Sequence, residues 1–246
     1  MTPPPRDDSQ DIVALSGVRF AWPDSRRFAL AIDDFTVRRG DRLLLTGPSG
    51  TGKSTLLGLL CGIITPDSGT LRILQTDIAH LSGRERDRFR AEHVGIIFQM
   101  FNLLPYGTVL DNVLLPLSFA PERRARAAMN GSPRNEACRL LRILGLEDPV
   151  FDGPPAASLS VGQQQRVAAA RALIGAPAVV LADEPTSALD SARQDAFLDL
   201  LFDQTAAAGA TLIMVSHDER LAERFDRTVE LADILQGGGQ VAEDAA

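Results

Sequence analysis

Lysine is nearly missing from this chain of 246 residues: of its 25 basic residues, Lys53 is the one lysine and the rest are arginine. A sequence that uses arginine everywhere else and keeps lysine once suggests a position that needs a compact ammonium point charge, not a planar guanidinium fork. Cysteine is almost as scarce. Cys61 and Cys138 lie far apart and lack metal-ligand spacing, so the expectation is reduced, packed thiols in a reducing compartment. No uninterrupted apolar run approaches the roughly 18 residues of a transmembrane helix. The polar, Pro-rich opening "MTPPPRDDSQ" does not read as a secretory signal. Net charge is −7, which argues against a surface built to grip nucleic-acid phosphates or anionic lipid directly. Internal repeats and low-complexity tracts are absent apart from the short "QGGGQ" near the end.

What is present is enough for a sizeable core. With 45% hydrophobic and 23% charged residues, the chain fits one large α/β domain or a domain with lobes. Residues 1–10 and 237–246 are expected to be flexible ends. "IVALSGVRF" and "AIDDFTV" read as short strands, and "RLLLTG" as a buried strand entering a Gly-rich loop backed by the core helix "STLLGLLCGI". "PDSGTLRIL" and "HVGIIFQ" are further strands, separated by "RERDRFRAE", a charged helix with a solvated face. From about 101 to 165 helical signals dominate, as in a separate helical lobe. "AVVLAD" and "TLIMVS" then restore the βαβ rhythm of a parallel sheet.

The segment "GPSGTGKST" (Gly47, Pro48, Ser49, Gly50, Thr51, Gly52, Lys53, Ser54, Thr55) follows a predicted strand and opens a predicted helix, the context that makes a P-loop credible. Its backbone N–H groups are expected to cradle phosphates, Lys53 to reach the β and γ oxygens, and Ser54 to ligate Mg²⁺. "VVLADE" ends a strand buried on both faces with two carboxylates, at the strand end where open α/β sheets bind ligands. Asp183 is assigned to Mg²⁺ and Glu184 to polarising the attacking water. Gln99 and His217 close two other strands. The Gln99 amide could meet Mg²⁺ or that water, whereas His217 alone reads as a surface or capping residue. "LSVGQQQRVAAARAL" (159–173) carries two readings. Ser160 and Gln163 have the spacing of a capping box, while Gly162 would let helix N-terminal N–H groups crowd an anion.

The ordered set "GPSGTGKST", Gln99, "LSVGQ", "VVLADE", "SALD" (Ser187 to Asp190) and His217 resembles the ATP-binding subunit of an ABC transporter across nearly the whole chain. The resemblance implies an α/β P-loop NTPase (RecA-like) core over 11–236, with an antiparallel β lobe and an α-helical lobe. It implies ATP and Mg²⁺, and two such subunits, here expected to be identical, paired head to tail so that the P-loop of one faces Ser160, Gly162 and Gln163 of the other. Trp22 of "VRFAWP" matches the adenine-stacking aromatic, with Phe20 a competitor for that role. Asp190 would contact the opposite subunit, His217 the γ-phosphate, and Glu184 would be the general base. The usual "LSGGQ" is here "LSVGQ", which strains Val161 if the first glycine is needed for its backbone and is tolerable if only the second approaches phosphate. The stretch around "HVGIIFQMFNLLPYGTVLDNVLLPL" resembles subunits of lipoprotein release and of macrolide or glycolipid efflux. Met100, Phe101, Leu103, Leu104 and Tyr106 then lie where a transmembrane permease docks, and the subunit would sit in the cytoplasm, peripheral on the inner membrane face without inserting. A regulatory ABC ATPase of the cell-division type, signalling without transport, carries the same engine and stays open as the alternative.

Overall fold

The computed structural model describes residues 10–23, 29–153, 155–187 and 189–235; most of the two expected flexible ends lies outside them, as does Ala188 of "SALD". Alternation with a step in phase builds the first sheet. In β1 (Asp11–Ala21) Val13 with Leu15, and Val18 with Phe20, are buried, each pair at the period of two that a half-buried strand requires, and the register shifts between them, at Ser16 to Arg19. Strand β2 (Ala29–Arg38) pairs antiparallel with it from Asp11↔Arg38 to Ala21↔Ala29. Strands β3 (Arg42–Thr46) and β4 (Ser68–Ile73) follow, and β4 takes the other edge of β1 with β5 (Thr76–Asp77) beyond it, giving the order β2-β1-β4-β5. Trp22 directly follows β1, where Ala21 donates its N–H to Asp67 Oδ2 at 2.8 Å.

The second sheet is parallel throughout. Strands β6 (Val94–Ile97), β7 (Val179–Asp183), β8 (Thr211–Val215) and β9 (Arg227–Glu230) join β3 in the order β6-β7-β8-β3-β9. This order decides the site. It sets the carboxyl ends of β6, β7, β8 and β3 side by side, and those ends carry Gln99, Asp183 with Glu184, His217 and the P-loop, as ligand sites of open α/β sheets require. The four residues of β9 were not expected from the sequence.

Helices α1 (Lys53–Leu60), α2 (Gly83–His93), α3 (Val109–Leu114), α4 (Pro121–Ala127), α5 (Pro133–Ile143), α6 (Val161–Leu173), α7 (Ser191–Ala207) and α8 (Leu231–Ile234) complete the chain. Helix α2 buries only Glu92 and begins with a Ser82/Glu85 capping box, so its charged run is a solvated face. The parallel sheet separates two buried clusters. Leu43, Leu45, Leu181, Ile213 and Val215 face α1 and the antiparallel sheet, whereas Leu44, Val180, Ala182, Leu212 and Met214 face α3, α5, α6 and α7. The helical segment thus has no core of its own: Val167 to Ile174 join its apolar residues to the sheet in one cluster. Burial pushes the Cys61 thiol up to about 12, so this cysteine is a packing residue. Among the described residues no helix is long and apolar enough to cross a membrane.

Candidate nucleotide site

A cavity of about 390 Å³ opens at the carboxyl edge of the parallel sheet, lined by Trp22, Ser49, Lys53, Ser54, Gln99, Asp183 and Glu184 together with Gly50, Gly52 and Thr55. The loop that floors it turns through Gly47, Gly50 and Gly52, at φ values of 145°, 81° and 104°, a region that L side chains rarely enter. Lys53 opens α1 and is only 7% exposed. Its ammonium donates to the carbonyls of Gly47 at 2.6 Å and Pro48 at 2.7 Å, and Thr51 Oγ1 donates to the same Pro48 carbonyl. The lysine is thereby folded back over its own loop, with its charge held at the loop's mouth.

Ser54 Oγ donates to Asp183 Oδ2 at 3.3 Å, which joins the start of α1 to the end of β7. Burial pushes the Asp183 carboxyl above its ordinary value; the Ser54 hydrogen bond offsets part of this and the neighbouring Glu184 adds to it. Among the described residues no group of three or more His, Cys, Asp or Glu side chains gathers as a metal cage. A hydroxyl, one carboxylate and the Gln99 amide are hard oxygen donors few in number, which fits Mg²⁺, an ion that keeps waters and phosphate oxygens as its other ligands.

Glu184 stands just beyond β7 at φ 43°, a left-handed conformation that is costly for a residue with a side chain. Its N–H donates to Val215 O at 3.0 Å, and its carbonyl accepts from Ser187 N at 3.3 Å and Ser187 Oγ at 3.1 Å. Held by the end of β8 on one side and its own turn on the other, the backbone aims the carboxylate at the cavity. Glu184 Oε1 lies 3.1 Å from His217 Nδ1, with the glutamate side chain 16% and the imidazole 59% exposed. Trp22 meets Phe20 edge to face, with ring centroids 5.1 Å apart. Phe20 is buried in the core while Trp22 lines the cavity, so of the two aromatics only Trp22 offers a face to a ligand.

The remaining predicted residues lie elsewhere. Ser160 caps α6: its Oγ accepts from Gln163 N–H at 3.3 Å, and Gln163 Oε1 accepts from Ser160 N–H at 3.0 Å. Val161 is the first helical residue, is exposed, and is not among the described residues with positive φ, so valine there is unstrained. A Cβ added at Gly162 would meet nothing within 4 Å. Asp190 caps α7 by accepting from Arg193 N–H at 3.0 Å. A second cavity, of about 690 Å³, lies between α2 and the segment after Gln99 and is lined by Phe98, Leu115, Pro116, Phe119, Arg84 and Arg88 among others. Met100 and Tyr106 are exposed, and Phe101 is buried in the core.

The family model described as ABC transporter matches residues 30–187. This chain belongs to the ABC transporter family. It is an ATP-binding subunit with ATPase activity. An uncharacterised ABC transporter ATP-binding protein of Mycobacterium tuberculosis is 42% identical over 231 residues, covering 93% of this chain and 88% of the relative. The lipoprotein-releasing system ATP-binding protein LolD 2 of Rhodospirillum rubrum is 44% identical over 212 residues, covering 86% and 87%. Among solved structures, a dimeric post-hydrolysis state of the ATP-binding cassette MJ0796 bound to ADP and Pi aligns with a TM-score of 0.76 at 33% identity, over 92% of this chain and 97% of that one.

The ABC subunit accordingly divides its predicted residues in two. The P-loop, Trp22, Gln99, Asp183, Glu184 and His217 converge within one chain, whereas Ser160, Gly162, Gln163 and Asp190 cap two exposed helix starts apart from the cavity. Sequence reasoning passed over Phe119, exposed on the rim of the second cavity. It also passed over Arg123 and Arg171, both buried, because their partners are carbonyls distant in the chain.

Proposed function

We propose that this subunit binds ATP with Mg²⁺ in the 390 Å³ cavity, closes head to tail on a second copy of itself, and passes that motion to a transmembrane permease. Trp22 stacks on adenine, the P-loop amides and Lys53 hold the phosphates, and Ser54, Asp183 and Gln99 hold the metal. A Mg²⁺ ion held by these residues would supply neutralisation of charge on the phosphate oxygens. Glu184 takes the proton of the attacking water and His217 contacts the γ-phosphate while fixing the Glu184 carboxylate. The N–H groups at the start of α6, with Ser160, Gly162 and Gln163, meet the γ-phosphate of the partner's nucleotide, and Asp190 meets the partner across the interface. Phe119, Met100, Tyr106 and the second cavity receive the permease, which holds the subunit at the inner face of the membrane. The likeness to lipoprotein-releasing subunits supports an export-type permease.

One observation carries this reading: Glu184, held in a left-handed turn 3.1 Å from His217, sits at the same cavity as Lys53 and the Ser54–Asp183 pair. Glu184→Gln keeps the shape and removes the base. Size-exclusion chromatography with MgATP should then show a stable dimer with nearly abolished turnover, and hydrolysis at the wild-type rate would overturn the assignment.

A further inference from the structure

Helix α6 does more than carry Ser160 and Gly162 at its start. At Gln165, which is buried, Nε2 donates to Pro185 O at 2.8 Å, the carbonyl just after Glu184. At Arg171, 9% exposed, Nη1 donates to Asn102 O at 2.6 Å and Nη2 donates to Phe101 O. Phe101 and Asn102 follow Gln99 closely, and both stand in the left-handed region, at φ 58° and 48°. Two consecutive side-chain-bearing residues in that region need outside support, and the guanidinium fork supplies it.

Among the described residues no carboxylate pairs with Arg171 in an ion pair, and burial pushes its guanidinium below its ordinary value. A buried cation is tolerated only while its donors are satisfied. If the Gln99 loop shifted alone, both carbonyls would leave and the fork would be stranded. The C-terminal end of α6 is fixed in turn by Arg123, whose Nη2 donates to Ala172 O at 2.6 Å and whose Nε donates to Ile174 O at 2.7 Å. From Ser160 to Arg171 the helix runs roughly 16 Å at 1.5 Å per residue. It therefore joins, as one stiff element, the helix start that meets the partner's phosphate, the turn that aims Glu184, and the loop that presents Gln99.

We infer that Arg171 is a positioning residue that locks the Gln99 loop to helix α6 and so holds the Gln99 amide at the cavity it lines. This rests on the role proposed above for Gln99. The test is a double-mutant cycle on the full chain, measuring kcat and KM for MgATP. Arg171→Met should lower kcat by about 10- to 100-fold, the loss expected for one or two charge-assisted hydrogen bonds, while KM changes by less than about threefold because the P-loop is untouched. In a Gln99→Ala background the same substitution should change kcat by less than about twofold, since residues acting through one loop are not additive. An undiminished loss there would mean that Arg171 only supports the fold, and would overturn the inference while leaving Gln99's role intact. A Gln99→Ala variant at the wild-type rate would overturn both. If Arg171→Met does not fold, Arg171→Lys, which keeps the cation and loses the planar fork, should give the same non-additivity with smaller amplitude, and additive effects there count equally against it.

Discussion

Gly162 separates two roles that the same few residues can play. As the second residue of α6 it has a helical backbone, and a Cβ there would meet nothing within 4 Å, so nothing inside the chain requires glycine. Replacing it by alanine restricts the unfolded chain and should stabilise the subunit by about 0.4–1 kcal/mol. Aspartate should add about 0.3–1 kcal/mol at low salt by facing the positive end of the helix dipole. For a domain of this size each kcal/mol raises Tm by about 2–4 °C, so both variants, heated without nucleotide, should unfold slightly above the wild type. Nucleotide binding to the monomer should be unchanged. It can be followed through Trp22, the one tryptophan in the sequence, which lines the cavity. The partner's phosphate is a different matter, because a Cβ holds it off by roughly 1.5 Å and a carboxylate repels it. Gly162→Ala should weaken MgATP-dependent dimerisation in the Glu184→Gln background, and Gly162→Asp should abolish both dimerisation and hydrolysis. Wild-type hydrolysis by Gly162→Asp would reduce the stretch to a helix cap. A lowered Tm in either variant would show instead that glycine serves the fold.

Gly95 makes the opposite case. In β6 a Cβ at this position would come 2.2 Å from Ala172 O on α6, so Gly95→Ala must push helix and strand apart; a cost of about 1–3 kcal/mol is expected, read as a lowered denaturation midpoint, and an unchanged midpoint would refute the packing argument. Thiol labelling of the native chain should reach the half-buried Cys138 first and leave Cys61, buried and pushed up to about 12, unmodified until denaturant is added. Mass spectrometry of the maleimide adducts checks the order, and early labelling of Cys61 would show that α1 opens in the native state.

The strands of both sheets were legible where burial is complete or alternates, as in "RLLLT", "VVLAD" and "TLIMV", because a period of two, or a short unbroken apolar run of β-branched and aliphatic residues, matches the pleat of a strand and not the turn of a helix. The P-loop pattern was legible because it is local: its glycines, lysine and serine fall within nine consecutive residues. Strand β9 was not. "RTVE" is four mostly polar residues on a sheet edge, placed beside β3 by parallel pairing and by the adjacent Arg42–Asp226 ion pair at 2.6 Å, and only the second of those residues lies anywhere near it in the chain. His217 read as a surface residue on its own. It becomes Glu184's neighbour only because β7 and β8 are adjacent in the sheet, an order that follows from packing and not from spacing. Arg123 and Arg171 were invisible for the same reason. Arginine in a helix signals a solvated face, and nothing local says that the acceptors are carbonyls on other elements. Val161 was legible as a departure from the family pattern, and the structure removes the strain it raised.

The lone lysine can now be given a physical reason. Lys53 must satisfy two demands at once: burial at the start of a helix, and donation to two carbonyls only five and six residues back in the chain. A compact ammonium with three donors can swing between those carbonyls and an arriving phosphate without rearranging the loop, whereas a guanidinium fork has fixed directions and a larger planar body. Arg171 has the reverse task. It must span two successive carbonyls in a fixed geometry and hold them there, which suits a rigid fork and suits an ammonium less. On the proposed function, the chain's one lysine thus stands where a cation changes partners, and Arg171 stands where a cation keeps them.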